Sequence, residues 1–205
     1  MKRQAALREY FTLSAPLRAQ IRRTAAAFAI LIAVGFLSGL FYPDLLKPML
    51  TGFTDAAAQA GLYEVKGGTL MVTILSNNLL AALEPIAVGL IPFLHLPAFS
   101  VGLNAMLTGG LAAFYQTSGL GLPAFLAGTL PHGITELAAL SVACGAGLHV
   151  CATVTGRILG RDTAFTTVQA LTEALRAYAV WVLPLLTLSS ALEAFVTPLI
   201  FSRFL

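Results

Sequence analysis

Charge is what this chain has least of. Asp, Glu, Lys and Arg make up 10% of its 205 residues and hydrophobic side chains 58%, whereas soluble domains carry about 25% charge. So few charges cannot cover a soluble globule, and so much apolar side chain excludes a disordered chain. The net charge is only +3, and the basic residues are bunched along the sequence. That excludes the broad electrostatic footprint of a nucleic-acid binder. Cysteine is scarce too. Cys144 and Cys151 are seven positions apart, about 10 Å along a helix, too far for a disulfide. Both fall in an apolar run and read as buried thiols. No P-loop, nucleophile elbow or dinucleotide fingerprint occurs, and no low-complexity segment or soluble domain interrupts the chain.

What is there is apolar sequence in span-sized blocks. A membrane helix needs about 20 mostly apolar residues, and five stretches qualify: 24–42, 69–92, 97–118, 133–155 and 177–201. The expected architecture is an all-α polytopic bundle: a basic amphipathic cytoplasmic segment over 1–23, then a five-span membrane domain over 24–205. The first span follows polar chain and is too long for a cleaved signal peptide. Lys2, Arg3, Arg8, Arg18, Arg22 and Arg23 precede it, and Arg157, Arg161 and Arg176 flank the last connection. Lys47, Lys66 and Arg203 fall on the other side. The positive-inside rule then places the N-terminus in the cytoplasm and the C-terminus outside a cytoplasmic (inner) membrane.

Three connecting segments carry amphipathic patterns. In 44–60, Leu46, Met49, Leu50, Phe53, Ala57 and Ala60 form one stripe, with Lys47, Thr51 and Asp55 elsewhere, the period of an interfacial helix. Phe165, Val168, Leu171 and Leu175 repeat it on the inner side, with Asp162 as a candidate cap. Leu7, Tyr10, Phe11 and Leu13 lie among arginines, suited to an anionic leaflet. Each segment reads as interfacial packing or as a docking surface.

Residues 122–155 would reach about 51 Å as one helix, against a hydrocarbon core of about 30 Å. Pro131 removes a backbone donor and Gly133 tolerates unusual dihedrals. A Pro-His-Gly break is therefore expected before the fourth span, leaving a short helix over 122–130 that is interfacial or re-entrant.

Ionisable and amide groups inside spans are costly and face protein or water. Counting at 1.5 Å per residue, Asn77, Asn78, His132, Glu136 and Glu193 lie at similar depth toward the outer side and form one candidate cluster. Glu84 and Asn104 match nearer the inner face and are expected to pair. His132 and Glu136, four apart, share a helix face. They are two potential metal ligands where zinc needs three or four, so an intramembrane metalloenzyme is the weakest reading. His149 and Cys151 point in different directions on a helix, and His95, between Pro92 and Pro97, reads as a turn residue. No nucleophile stands beside a base in the sequence, so neither catalytic residues nor a cofactor or metal is expected. The carboxylates suit proton-coupled transport or a buried network that fixes helix packing. Gly35 and Gly39 form a GxxxG, and Ala105/Gly109 and Ala143/Gly147 keep the same spacing. These serve packing within the chain or a homo-oligomer.

Several of these residues recur as a set. Asn77-Asn78, Asn104 with Gly109-Gly110, the run Leu130-Pro131-His132-Gly133-Ile134-Thr135-Glu136, and Glu193-Ala-Phe-Val-Thr197-Pro198 resemble the stage II sporulation protein M family. The resemblance runs from the first span to the C-terminus. It implies an inner-membrane scaffold, not itself a hydrolase. The scaffold recruits two peptidoglycan-cleaving partners, the stage II sporulation proteins D and P, for septal wall thinning and engulfment. It also assigns the family's polar core to Asn77, Asn78, Asn104, His132, Glu136 and Glu193. The partners would be met by 43–68, by 116–124 or by the spans.

Overall fold

The computed structural model describes residues 11–44, 47–48, 50–52, 55 and 65–204. Among them there is no strand, and five helices are long and apolar enough to cross a membrane. These are α1 (Ala15–Phe41), α2 (Gly67–Val88), α3 (Leu96–Thr117), α4 (Gly121–Ile158) and α5 (Thr167–Phe201). The all-α bundle of five spans is therefore present, with boundaries set by capping and packing as well as hydropathy.

α1 starts at Ala15, well before the apolar run, because Ser14 caps it. The Ser14 hydroxyl accepts the Leu17 N–H at 3.3 Å, and Pro16 occupies the first turn, where no backbone donor is needed. α2 stops at Val88 and a tight connection follows, in which Phe93 and His95 adopt left-handed φ values of 69° and 46°. This connection hangs on α4. The Phe93 N–H donates to Thr155 Oγ1 at 2.9 Å, and the Cys151 thiol donates to the Ile91 carbonyl at 3.4 Å. His95 is the turn residue expected of it, with Nδ1 3.0 Å from the Phe93 carbonyl oxygen.

The expected break before the fourth span is absent. α4 runs unbroken from Gly121 to Ile158 with Pro131 inside it, so 122–130 is the first part of the span and no separate helix. One proline costs one hydrogen bond, whereas a break would free several backbone groups on each side where lipid cannot satisfy them. Packing holds the first turns in line. Ala124, Phe125 and Ala127 are buried, and Tyr115 of α3 stacks edgewise on Phe125 at 5.9 Å and tilts against Phe201 at 6.3 Å. At about 57 Å, α4 exceeds a hydrocarbon core of about 30 Å, so its ends stand outside it. Gly160, at φ 66°, then turns the chain back, and the Arg161 N–H reaches the Gly156 carbonyl at 2.9 Å.

α5 also differs from expectation. The amphipathic segment around 165–175 and the fifth span run into one helix starting at Thr167. Its cap is Thr166 in a reciprocal box with Gln169, and Asp162 takes no part. The buried stripe is Ala170, Glu173, Ala174 and Ala177, while Val168 and Leu175 are exposed. In these first turns small side chains let α5 lie close on α4, and Val168 and Leu175 are left facing outward. Two π turns interrupt α5, Tyr178–Val182 and Leu192–Val196. Each ends two residues before a proline, Pro184 and Pro198. A proline ring clashes with the carbonyl four residues back, and a widened turn relieves that clash.

α4 is the centre of the bundle, and its run Ala143-Cys144-Gly145-Ala146-Gly147 is wholly buried. A Cβ on Gly145 would lie 2.8 Å from Ile21 Cα of α1, and one on Gly147 would strike the Pro85 carbonyl of α2. α1 and α3 form the most intimate pair. A Cβ on Gly35 would sit 2.8 Å from the Met106 carbonyl oxygen, and one on Gly109 would meet the Ile32 and Gly35 backbone. Gly35 and Gly39 are both buried inside the protomer. At Gly35 the GxxxG face packs against α3, the within-chain alternative of its two readings. Phe28, Val101, Leu140, Val182 and Leu186 fill the core around these contacts.

The start of α1, the end of α4 and the start of α5 meet at one end, which gathers Arg18, Arg22, Arg23, Arg157, Arg161 and Arg176. We call it the basic end. In the 44–60 stripe, Leu46, Met49, Phe53, Ala57 and Ala60 lie outside the described residues. The described Pro43, Lys47, Leu50 and Thr51 are helical, and Asp44 pairs with Lys47 at 3.7 Å on the surface. In the N-terminal segment, Leu7 and Tyr10 lie outside the described residues. Phe11 is exposed and Leu13 half-buried.

Candidate functional site

The polar residues of the half away from the basic end gather on the seam between α4 and α5. α4 supplies His132 and, one turn on, Glu136. α5 supplies Ser189, Glu193 and Thr197. His132 Nδ1 lies 3.0 Å from Thr197 Oγ1. The Ser189 hydroxyl donates to the His132 carbonyl at 3.2 Å, and the Thr135 hydroxyl donates to the same oxygen at 2.7 Å. Glu193 sits in the second π turn, on the same seam as Glu136. His132, Glu136 and Glu193 are half-buried; Ser189 and Thr197 are buried. Pro131 is half-buried, and Gly133 is buried against the Thr129 methyl.

Of the five residues expected to cluster, His132, Glu136 and Glu193 lie on this seam. Asn77 is exposed and Asn78 half-buried on α2. Among the described residues neither amide hydrogen-bonds to His132, Glu136 or Glu193. Matching depth brings groups to one level, but helix rotation decides whether they face one another. α2 turns Leu79 toward α5 instead, where its carbonyl accepts from the Tyr178 hydroxyl at 2.6 Å.

The expected Glu84–Asn104 pair is also not made directly. The Ser100 hydroxyl donates to Glu84 Oε2 at 3.2 Å, and the Asn104 amide donates to the Ser100 carbonyl at 2.9 Å. Ser100, one turn before Asn104 on α3, stands between them, and both Glu84 and Asn104 are exposed on the bundle's flank.

A second polar centre lies near the basic end and was not anticipated. Glu173 of α5 is 7% exposed. Its Oε1 accepts the Ser14 backbone N–H at 2.6 Å, and its Oε2 accepts the Ser14 hydroxyl at 2.9 Å. His149 Nε2 of α4 stands 3.7 Å from Oε2, and an Arg176 guanidinium nitrogen 3.7 Å from Oε1. Arg176 also donates to the Thr12 carbonyl at 3.1 Å. The Phe165 ring packs edgewise on His149 at 5.4 Å. The one signal in the sequence is the setting of Glu173 among Ala170, Ala174 and Ala177, the side that α5 buries. His149 and Cys151 do face different neighbours, and both cysteines are free and buried.

Chemically, the seam offers an imidazole held against a hydroxyl and two carboxylates in a low-dielectric setting. The Thr197 hydroxyl beside His132 has the spacing of a nucleophile and its base, a pairing that sequence order alone hides. Thr197 is 8% exposed, and its contact with His132 ties α5 to α4. Among the described residues no three His, Cys, Asp or Glu side chains come together around a metal position.

No curated protein and no solved structure matches this chain. A family model does match, over residues 24–198, which takes in α2, α3 and α4 whole, most of α1 and α5, and every side chain of the two polar centres except that of Ser14. The chain is a membrane protein of five apolar helices, and it belongs to the stage II sporulation protein M family.

Proposed function

We propose that this protein is a scaffold of the cytoplasmic membrane that holds peptidoglycan-remodelling proteins, of the stage II sporulation protein D and P type, at the outer face. Family membership over residues 24–198 carries the reading. The seam supports it, because His132, Ser189 and Thr197 spend their polar atoms tying α4 to α5, as a rigid frame requires. The N-terminus and basic end lie in the cytoplasm and the C-terminus outside, following the distribution of Arg and Lys. In spore formers this role serves septal thinning and engulfment. Crosslinking and affinity recovery from native membranes, with mass spectrometry, tests it. Wall hydrolases are expected with the wild type, and recovery of the chain alone would overturn the scaffold.

One observation favours a second reading. Glu136 and Glu193, both half-buried on the seam, are the kind of intramembrane carboxylates that move protons or cations. Transport predicts pH- or ion-dependent flux in proteoliposomes that Glu136→Gln abolishes. A panel of ions and solutes without flux would remove it.

A further inference from the structure

We infer that a groove between α1 and α3 is a binding site for one anionic phospholipid of the leaflet at the basic end. α1 and α3 run side by side and touch backbone to backbone at Gly35–Met106 and Ile32–Gly109. Packed helices cross at an angle and part away from their closest approach. Toward the basic end that parting leaves a groove of about 250 Å³. Its walls are Ala27, Leu31 and Val101, with Leu148 of α4 as the floor. Gln20 and Arg23 stand at its rim.

The chemistry along the groove changes with depth as a phospholipid does. The walls are apolar and partly built of alanine, which leaves room for part of an acyl chain. Thr24 brings no free polarity inside, because it is buried and its hydroxyl donates to the Gln20 carbonyl at 3.0 Å. Arg23 is exposed, and among the described residues no carboxylate pairs with it. An unpaired guanidinium at a headgroup level selects phosphate, which it binds with forked donors.

Length selects the occupant. From Gln20 to Leu31 the groove runs about 16 Å along α1. That is about half of a hydrocarbon core of about 30 Å, the depth of one leaflet. A partner's membrane helix would need the full thickness, and α1 and α3 close the groove at Gly35 before that depth is reached.

The test uses the full chain in bilayers containing equal fractions of phosphatidylglycerol and phosphatidylcholine. In each sample one of the two lipids carries a photoreactive group on its acyl chain. Labelling of peptides spanning 27–31 and 98–101 is expected to be about fivefold higher for phosphatidylglycerol, the selectivity that one arginine near an anionic surface confers. Arg23→Gln is expected to bring the two lipids level at the groove. Labelling elsewhere on the perimeter, and the helical circular dichroism, should stay unchanged. Equal labelling by the two lipids in the wild type would overturn the proposal, as would crosslinks from the groove to a second polypeptide. Undiminished preference in a folded Arg23→Gln protein would overturn it too. If that variant does not fold, the wild-type comparison alone decides.

Discussion

Glu173 grips Ser14 with both carboxylate oxygens, at 2.6 Å from its backbone nitrogen and 2.9 Å from its hydroxyl. The two residues are 159 positions apart. Ser14 is also the cap of α1, so a single side chain of α5 holds the start of the first span and satisfies a donor there. The contact fixes the first and last membrane helices to each other at the basic end, and His149 and Arg176 flank it.

Removing this contact is expected to loosen the start of α1. Glu173→Ala takes two hydrogen bonds from a buried charged acceptor and leaves Arg176 without its neighbouring carboxylate. Such bonds are worth about 1.5–3 kcal/mol each, and we expect a net loss of about 2–3 kcal/mol. Unfolding in a titration with sodium dodecyl sulfate would measure it, and limited proteolysis should cut near Ser14 before the rest unfolds. An unchanged midpoint would show that Glu173 contributes nothing net.

On the seam, His132 and Thr197 are expected to couple. A double-mutant cycle with His132→Ala and Thr197→Val should return a coupling of about 0.5–2 kcal/mol, the range for interhelical side-chain hydrogen bonds in membranes. The same cycle between His132 and Asn77 should return none, because Asn77 is exposed and, among the described residues, makes no hydrogen bond to the seam. Coupling to Asn77 would reinstate the five-residue cluster.

Pro131 gives a sharp test of the continuous fourth span. If the helix runs through it, Pro131→Ala restores a backbone donor and is expected to raise stability by up to about 3 kcal/mol. A helix broken there for a purpose would lose stability or its native fold on the same substitution. Thermal melting followed by circular dichroism distinguishes the two.

Two glycines separate close approach from mere flexibility. Gly147→Ala places a methyl against the Pro85 carbonyl, and Gly109→Ala places one against the α1 backbone. Each is expected to cost about 1–3 kcal/mol or more by overpacking. Gly102→Ala meets nothing within 4 Å and should be tolerated. Equal effects at all three positions would mean that tight packing of α1 on α3 and of α2 on α4 is not what holds the bundle.

The sequence by itself determined that this is a five-span helical membrane protein, because 20 apolar residues in a row have one low-energy environment whatever their neighbours are. It determined the family too, through short runs such as the one from Leu130 to Glu136. It also marked His132, Glu136 and Glu193, since buried polar groups stand out against an apolar background. Tertiary structure alone decided which groups meet. Depth along a helix can be counted from sequence, but rotation about its axis is set by packing, so Asn77 faces outward and Ser100 stands between Glu84 and Asn104. Pro131 stays inside α4 because neighbouring helices hold the turns before it in line. Glu173 reaches Ser14 because the small residues of α5 bring its helix onto α4, and no local pattern encodes a contact between residues 159 positions apart.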